Sequence, residues 1–107
     1  MEKEINEIKK QTEKVLCESN IKLEKIILFG SHARGDYSEF SDYDILIIIK
    51  DNLTYKDKIA ISEKIRDGLA KMLIPTDIII KSGSEIEYLK NKIGSVVNYS
   101  LAEGISL

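Results

Sequence analysis

Three aspartates in this chain stand where carboxylate chemistry could occur. Asp42 and Asp44 are separated by one residue at the start of an apolar stretch, and Asp77 opens a second one. Side chains alternate between the two faces of a strand, so Asp42 and Asp44 are predicted to share a face, with Cα atoms ~7 Å apart. Carboxylates this close repel each other unless a proton or a cation intervenes. Because Mg²⁺ prefers hard oxygen ligands, the pair indicates a divalent metal site.

Asp77 is the third candidate ligand. It follows Pro75 and Thr76 and precedes an isoleucine run, and a charge at the start of a buried strand requires a reason. If its strand pairs beside that of Asp44, the three carboxylates come together. The alternatives are a capping role for Asp77 and, for residues 41–44 taken alone, a simple polar turn.

A Gly-Ser turn precedes the aspartate pair. Gly30 permits a sharp turn and a close ligand approach, and Ser31 offers a hydroxyl and a backbone N–H. If a helical turn begins here, its free N–H groups face an incoming phosphate. Arg34 can bind phosphate oxygens in a bidentate manner, and Gly35 again permits an unusual backbone angle. These residues indicate nucleotide chemistry, whereas His32, the only histidine, is predicted to be an exposed neighbour.

The segments around these residues predict an α/β (α+β) fold. Apolar spacing predicts helices over residues 2–19 and 57–73 and a last helical region with apolar positions between 86 and 101. Strands are predicted over residues 22–29, 42–49 and 76–81, and residues 30–41 are predicted to be loop or a short helical turn. The resulting order indicates a small mixed sheet of about three strands packed by helices.

Size and composition limit the number of domains and the class of protein that the sequence can encode. The 107 residues suffice for one domain, over residues 1–107, and 43% apolar with 32% charged residues is typical of a globular protein. A net charge of −2 argues against broad nucleic-acid binding. The charged start predicts no signal peptide, and no apolar run could span a membrane, so the cytoplasm is the expected location. Cys17, the only cysteine, is predicted to be a buried small apolar residue.

The motif also resembles a known family. Gly-Ser-x-Ala-Arg-Gly, five residues, then Ser-Asp-x-Asp is similar to the signature of the DNA polymerase beta-like nucleotidyltransferase superfamily. The match runs from Gly30 to Asp44 without a gap, and the short length resembles the minimal nucleotidyltransferase (MNT) branch. The later Asp77 and the closing Leu101-Ala102-Glu103-Gly104-Ile105 fit the same pattern. The resemblance therefore covers most of the chain and implies the polymerase beta-like fold.

The resemblance also assigns roles. It implies that Gly30, Ser31 and Arg34, with Gly35, bind the triphosphate. It implies that Asp42 and Asp44 are metal ligands, and that Asp77 is a third ligand that helps activate the acceptor hydroxyl. The implied reaction is transfer of AMP from ATP with release of pyrophosphate, supported by Mg²⁺, with two ions expected.

The implied partner is a HEPN-type ribonuclease toxin. In toxin–antitoxin pairs of this family, AMP is transferred to a tyrosine of the toxin, which silences it, and the two proteins could form a hetero-oligomer. One alternative is a module that neutralises the toxin by contact, through the apolar C-terminal region, with little catalysis. Another is nucleotidylation of a small molecule, although nothing in the chain supplies the second half of such a pocket. Neither membrane association nor stable nucleic-acid binding is expected.

Overall fold

A four-stranded mixed sheet forms the centre of the fold in this computed structural model, which describes residues 2–107. The elements are α1 (Glu2–Glu18), β1 (Leu23–Phe29), α2 (Gly30–Arg34), β2 (Tyr43–Ile49), α3 (Tyr55–Ala70), β3 (Thr76–Ser82), α4 (Gly83–Leu89), α5 (Val96–Glu103) and β4 (Ile105–Ser106). The strand order is β3-β2-β1-β4. β1 is antiparallel to β2 and β4, whereas β2 and β3 are parallel. The predicted α/β fold with a mixed sheet is confirmed.

Two features differ from the sequence prediction. The last helical region is divided into α4 and α5, because Gly94 adopts a φ of +87° and the Ser95 side chain caps a new helix by accepting the Asn98 N–H. A fourth strand, Ile105–Ser106, adds to the edge of the sheet at β1. Two residues are too few to show the alternation by which a strand is recognised in a sequence.

The sheet is covered on both faces. On the first face, α1 and α3 pack against Ile45, Ile47 and Ile49 of β2. On the second face, Leu46 and Ile48 belong to a smaller cluster that includes α4. Alternation along β2 sends odd-numbered residues to the first face and even-numbered ones to the second, so the strand is apolar without interruption from Ile45 to Ile49.

The same alternation determines on which face of the sheet Tyr43 and Asp44 lie. Asp44 shares the second face with Leu46 and Ile48, and Tyr43 is buried on the first face. Tyr43 therefore faces away from the carboxylates and belongs to the core.

Cys17 differs from its prediction. It is exposed on α1, next to the buried Val15 and Leu16, because it lies on the face of the helix that turns away from the sheet. None of the helices within residues 2–107 has the length and apolarity needed to cross a membrane.

Candidate active site

β2 and β3 bring two of the three aspartates together. The strands run parallel, with Asp44 opposite Asp77 and Ile45 opposite Ile78. Residues in register on neighbouring strands project from the same face, so both carboxylates lie on the second face of the sheet. Phe29, the last residue of β1, is the partner of Asp44 on its other side. The Gly30 turn therefore begins directly beside the carboxylates.

Asp42 completes the acidic group from the loop before β2. Asp42 and Asp77 are exposed, whereas Asp44 is half-buried between them. Burial raises the pKa of Asp44, and the charges of Asp77 and Asp42 raise it further, while His32 and Arg34 act in the opposite direction. The carboxylates are thus close enough to repel each other. At Asp44, burial and this repulsion both disfavour the charged form.

The acidic group suits a hard divalent cation. Within residues 2–107 no three His, Cys, Asp or Glu side chains converge as a ready-made metal site. Mg²⁺ in nucleotide enzymes is usually held by one or two carboxylates together with substrate phosphates and water, so a complete protein cage is not needed. All donors here are carboxylate oxygens, and a cation would offset the repulsion that raises the pKa of Asp44.

Gly30 is required by two independent features. Its φ of +73° lies in the left-handed region, which side chains other than glycine adopt at a cost. In addition, a Cβ atom at this position would lie 2.0 Å from Oδ2 of Asp44. The turn and the carboxylate therefore fit together only when residue 30 lacks a side chain.

α2 begins at Gly30 and presents the remaining residues of the Gly-Ser turn. Ser31 is half-buried in its first turn. Gly35 ends the helix with a φ of +89°, and its N–H donates to the Ser31 carbonyl over 2.9 Å. A Cβ on Gly35 would meet nothing within 4 Å, so this glycine is explained by the backbone turn.

Arg34 is bound by α5, a helix that the sequence analysis did not place at the site. Its Nη1 donates to the Tyr99 hydroxyl over 2.6 Å and to the Glu103 carboxylate over 3.2 and 3.4 Å. Its Nε donates to Asp36 over 3.3 Å. The Gly30 N–H donates to Oε1 of the same Glu103 over 2.9 Å. The one signal in the sequence was the closing segment around Glu103, which resembles the usual end of the family.

His32 is buried, so the prediction of an exposed neighbour was wrong. Its ring lies between Tyr43, at a centroid distance of 3.7 Å, and Tyr37, at 4.5 Å, with both pairs stacked. Its Nε2 lies 3.1 Å from the Ser41 carbonyl oxygen. The helical turn of α2 directs His32 onto the first face, where Tyr43 begins β2. His32 therefore joins α2 to the loop that carries Asp42.

Replacing His32 by phenylalanine is expected to retain the stacking and to remove the hydrogen bond to the Ser41 carbonyl. We expect the free energy of unfolding to fall by about 1 kcal/mol, the usual contribution of one such bond. Urea denaturation measures the change. The alanine variant serves as the comparison, and it should lose more because it also removes the ring. Stability of the phenylalanine variant equal to or above that of the wild type would contradict a net stabilisation by the imidazole nitrogens, of which Nδ1 is buried without a partner in residues 2–107.

Comparisons with known proteins identify similar chains. The family model described as "Polymerase beta, Nucleotidyltransferase" matches residues 4–98. A Methanocaldococcus jannaschii protein named "Putative protein adenylyltransferase" is 40% identical over 101 residues, which cover 91% of this chain and 92% of the relative. A second protein of the same name and organism is 41% identical over 71 residues, covering 66% of this chain and 62% of the relative.

Solved structures show the same architecture. A "putative nucleotidyltransferase from Sulfolobus solfataricus" superposes with a TM-score of 0.57 at 26% identity, covering 98% of this chain and 82% of the other. A toxin–antitoxin structure with AMP-PNP has a TM-score of 0.59 at 22% identity, covering 91% of this chain and 69% of the other. A mutant of the toxin–antitoxin MntA–HpeT has a TM-score of 0.58 at 24% identity, covering 92% and 70%. At these last two identities the likeness concerns the fold alone.

Proposed function

The chain belongs to the polymerase beta nucleotidyltransferase family, and from that membership we propose that it transfers AMP from ATP to a tyrosine of a HEPN-type toxin. The membership confirms the predicted resemblance and the predicted class of enzyme, a nucleotidyltransferase. The observation that carries the finer proposal is the pairing of Asp44 with Asp77 beside the Gly30 turn. This pairing supports the proposal because the acidic group lies next to the turn to which the proposal assigns phosphate binding.

The triphosphate of ATP binds along α2 in this proposal. Ser31 offers a hydroxyl and a backbone N–H, and Gly30 allows the phosphates to approach the backbone closely. Arg34 supplies a positive charge that acts on Asp44, as its effect on the pKa of that carboxyl indicates. A guanidinium in this position neutralises charge that develops on the departing pyrophosphate.

The acidic group provides the metal ligands. Asp42, Asp44 and Asp77 are the residues that would hold Mg²⁺, and we expect two ions. Bound there, Mg²⁺ supplies positive charge for the phosphates and makes a neighbouring hydroxyl easier to deprotonate. Because Asp44 is the half-buried member, it is the residue whose charge is most costly without a cation.

The chemical step is an in-line displacement at the α-phosphorus. The oxygen of the acceptor hydroxyl forms a bond to the α-phosphorus, and the bond from that phosphorus to the bridging oxygen of pyrophosphate breaks. The pyrophosphate leaves with the electron pair, and Asp77 receives the hydroxyl proton. Asp77 is exposed, so a hydroxyl on another protein can reach it.

Three observations support a protein acceptor. The similar proteins of M. jannaschii carry the name protein adenylyltransferase. The fold is that of chains crystallised as toxin–antitoxin complexes, one of them with AMP-PNP. Two of the three carboxylates, those of Asp42 and Asp77, are exposed, which suits a macromolecular substrate better than a small molecule.

The test is a reconstituted reaction. The purified chain is mixed with Mg²⁺, ATP and the product of the neighbouring gene, and intact mass spectrometry measures AMP on that protein. We expect one or more additions of AMP on a tyrosine, and none when Asp77 is replaced by asparagine. Absence of AMP from the neighbouring protein contradicts the acceptor assignment. Full neutralisation of the toxin by a variant with Asp42 and Asp44 both changed to asparagine would instead support inhibition by binding.

A further inference from the structure

The last residues of the chain are fixed against β1. Ile105 and Ser106 pair with Leu28 and Ile27, and the Leu107 N–H donates to the Ile26 carbonyl over 2.9 Å. These contacts place the end of α5 beside the strand that leads into the phosphate-binding turn.

The junction between α5 and β4 is unusually tight. A Cβ on Gly104 would lie 2.3 Å from Cγ2 of Ile27 and 2.3 Å from the Ser100 carbonyl oxygen. Val97 and Ser100 on the inner side of α5 are fully buried. A glycine at 104 thus lets the helix end press directly onto β1, with Glu103 facing α2.

Glu103 joins both ends of α2 through one carboxylate. Its Oε1 accepts from the Gly30 N–H, at the start of the helix, and from Nη1 of Arg34, at its end. The Tyr99 hydroxyl accepts from the same Nη1 over 2.6 Å. The Glu103 side chain is only 21% exposed, so these charge-assisted hydrogen bonds are better shielded from water than those of a surface pair.

We propose that Glu103, assisted by Tyr99, is a positioning residue that holds Arg34 and the Gly30 turn in the orientation needed to bind the triphosphate. The proposal rests on the proposed function, since it concerns the same phosphate site. Glu103 acts through Arg34 and Gly30 rather than by touching the reacting atoms.

The need for such a residue arises at the two ends of α2, since stacking of His32 between Tyr37 and Tyr43 already anchors the middle of the helix. The helix has five residues, and Phe29 at its N-cap makes no side-chain hydrogen bond to it. The Arg34 side chain is 41% exposed and would lose considerable rotamer freedom on binding a phosphate. Holding it beforehand removes that cost from nucleotide binding, which is the usual benefit of preorganisation.

The experiment measures ATP affinity in the presence of Mg²⁺ by isothermal titration calorimetry. Glu103→Ala is expected to weaken ATP binding about tenfold, as loss of charge-assisted hydrogen bonds would. Glu103→Gln should recover part of the affinity, because its amide oxygen still accepts from Gly30 and Arg34. In an Arg34→Ala background, Glu103→Ala should have much less effect. Glu87→Ala is the matched control, since Glu87 is an exposed residue of α4 that forms an ion pair with Lys90.

The outcomes separate this proposal from the proposed function. Unchanged ATP affinity in Glu103→Ala overturns the positioning role while leaving the nucleotidyltransferase assignment intact. Tighter binding also overturns it, because the carboxylate would then compete with phosphate for Arg34. An equally large effect in the Arg34→Ala background shows that Glu103 does not act through Arg34. Failure of the wild type to bind ATP overturns the proposed function itself.

If Glu103→Ala does not fold, Glu103→Gln and Tyr99→Phe carry the same test, with weaker ATP binding expected from each.

Discussion

Replacement of Asp44 by asparagine is expected to reduce AMP transfer at least about a thousandfold while the protein stays folded. Asparagine has nearly the same shape, so the contact with Gly30 and the pairing with Phe29 and Asp77 can persist. The charge, however, is lost from the half-buried centre of the acidic group. The proposed cation would then lack its least exposed ligand, and the several kcal/mol that a metal contributes to a transition state would be lost.

The measurement is the rate of AMP incorporation into the partner protein, with circular dichroism to verify folding. Asp67→Asn is the matched control, because Asp67 is exposed on α3, away from the acidic group, and makes the same change of charge. That control should react at the rate of the wild type. Comparable rates for the Asp44 variant and the wild type would remove Asp44 from the mechanism.

The same Asp44 variant is expected to be more stable than the wild type at neutral pH when no divalent cation is present. Burial, and then the charges of Asp77 and Asp42, raise the pKa of Asp44 in the folded state. A carboxyl with a raised folded-state pKa binds more protons when folded, so it lowers the free energy of unfolding as pH rises from the unfolded to the folded pKa. The asparagine variant does not experience this loss.

Thermal melts over a range of pH test whether Asp44→Asn raises or lowers the stability of the protein. The advantage of the Asp44→Asn variant should be present at neutral pH and should vanish at pH values below the unfolded pKa of aspartate, about 3.9. Adding Mg²⁺ should raise the melting temperature of the wild type more than that of the variant, because a ligand that binds the folded state stabilises it. A variant less stable than the wild type at neutral pH would contradict the assigned cause of the raised pKa.

Gly30→Ala is expected to lower both stability and activity. The φ of +73° costs a residue with a Cβ about 1–2 kcal/mol. The new Cβ would also lie 2.0 Å from Oδ2 of Asp44, so the carboxylate must move. Because a displacement on the order of 1 Å in a catalytic group can cost about a hundredfold in rate, AMP transfer should fall by about that factor.

The Gly94→Ala variant separates the effect of the left-handed backbone conformation from the effect of the close approach to Asp44. Gly94 has a similar φ of +87°, yet a Cβ there would meet nothing within 4 Å. Both alanine variants should therefore have a lower free energy of unfolding in urea denaturation. Only the Gly30 variant should also have a lower rate of AMP transfer, because only there is the Asp44 carboxylate displaced. Equal activities for the two variants would show that the close approach of Gly30 to Asp44 has no functional consequence.

Local patterns in the sequence were sufficient for the fold class and for most of the helices and strands. The apolar run before Gly30 and the one after Asp44 predicted β1 and β2, because buried strands need uninterrupted apolar residues. The one-residue spacing of Asp42 and Asp44 predicted a shared face, because strand periodicity depends only on backbone geometry. The fold class and the family followed from these short-range features and from the motif between them.

Contacts between distant segments were decided only by the tertiary structure. Whether Asp77 faces Asp44 depends on which strand pairs with β2 and in which register, and neither is written in the spacing of either segment. The burial of His32 depends on Tyr37 and Tyr43 enclosing it from both sides.

Glu103 is the clearest example of a residue whose position only the tertiary structure decides. It lies 73 residues from Gly30 in the chain, and its carboxylate reaches the turn because α5 packs on β1 and α2 and β4 pairs with β1. A single sequence determines periodicity and turn chemistry locally, because these depend on neighbouring residues. The assembly of Asp77, Arg34 and Glu103 around the turn depends on how whole elements bury their apolar faces against one another, which only the folded structure specifies.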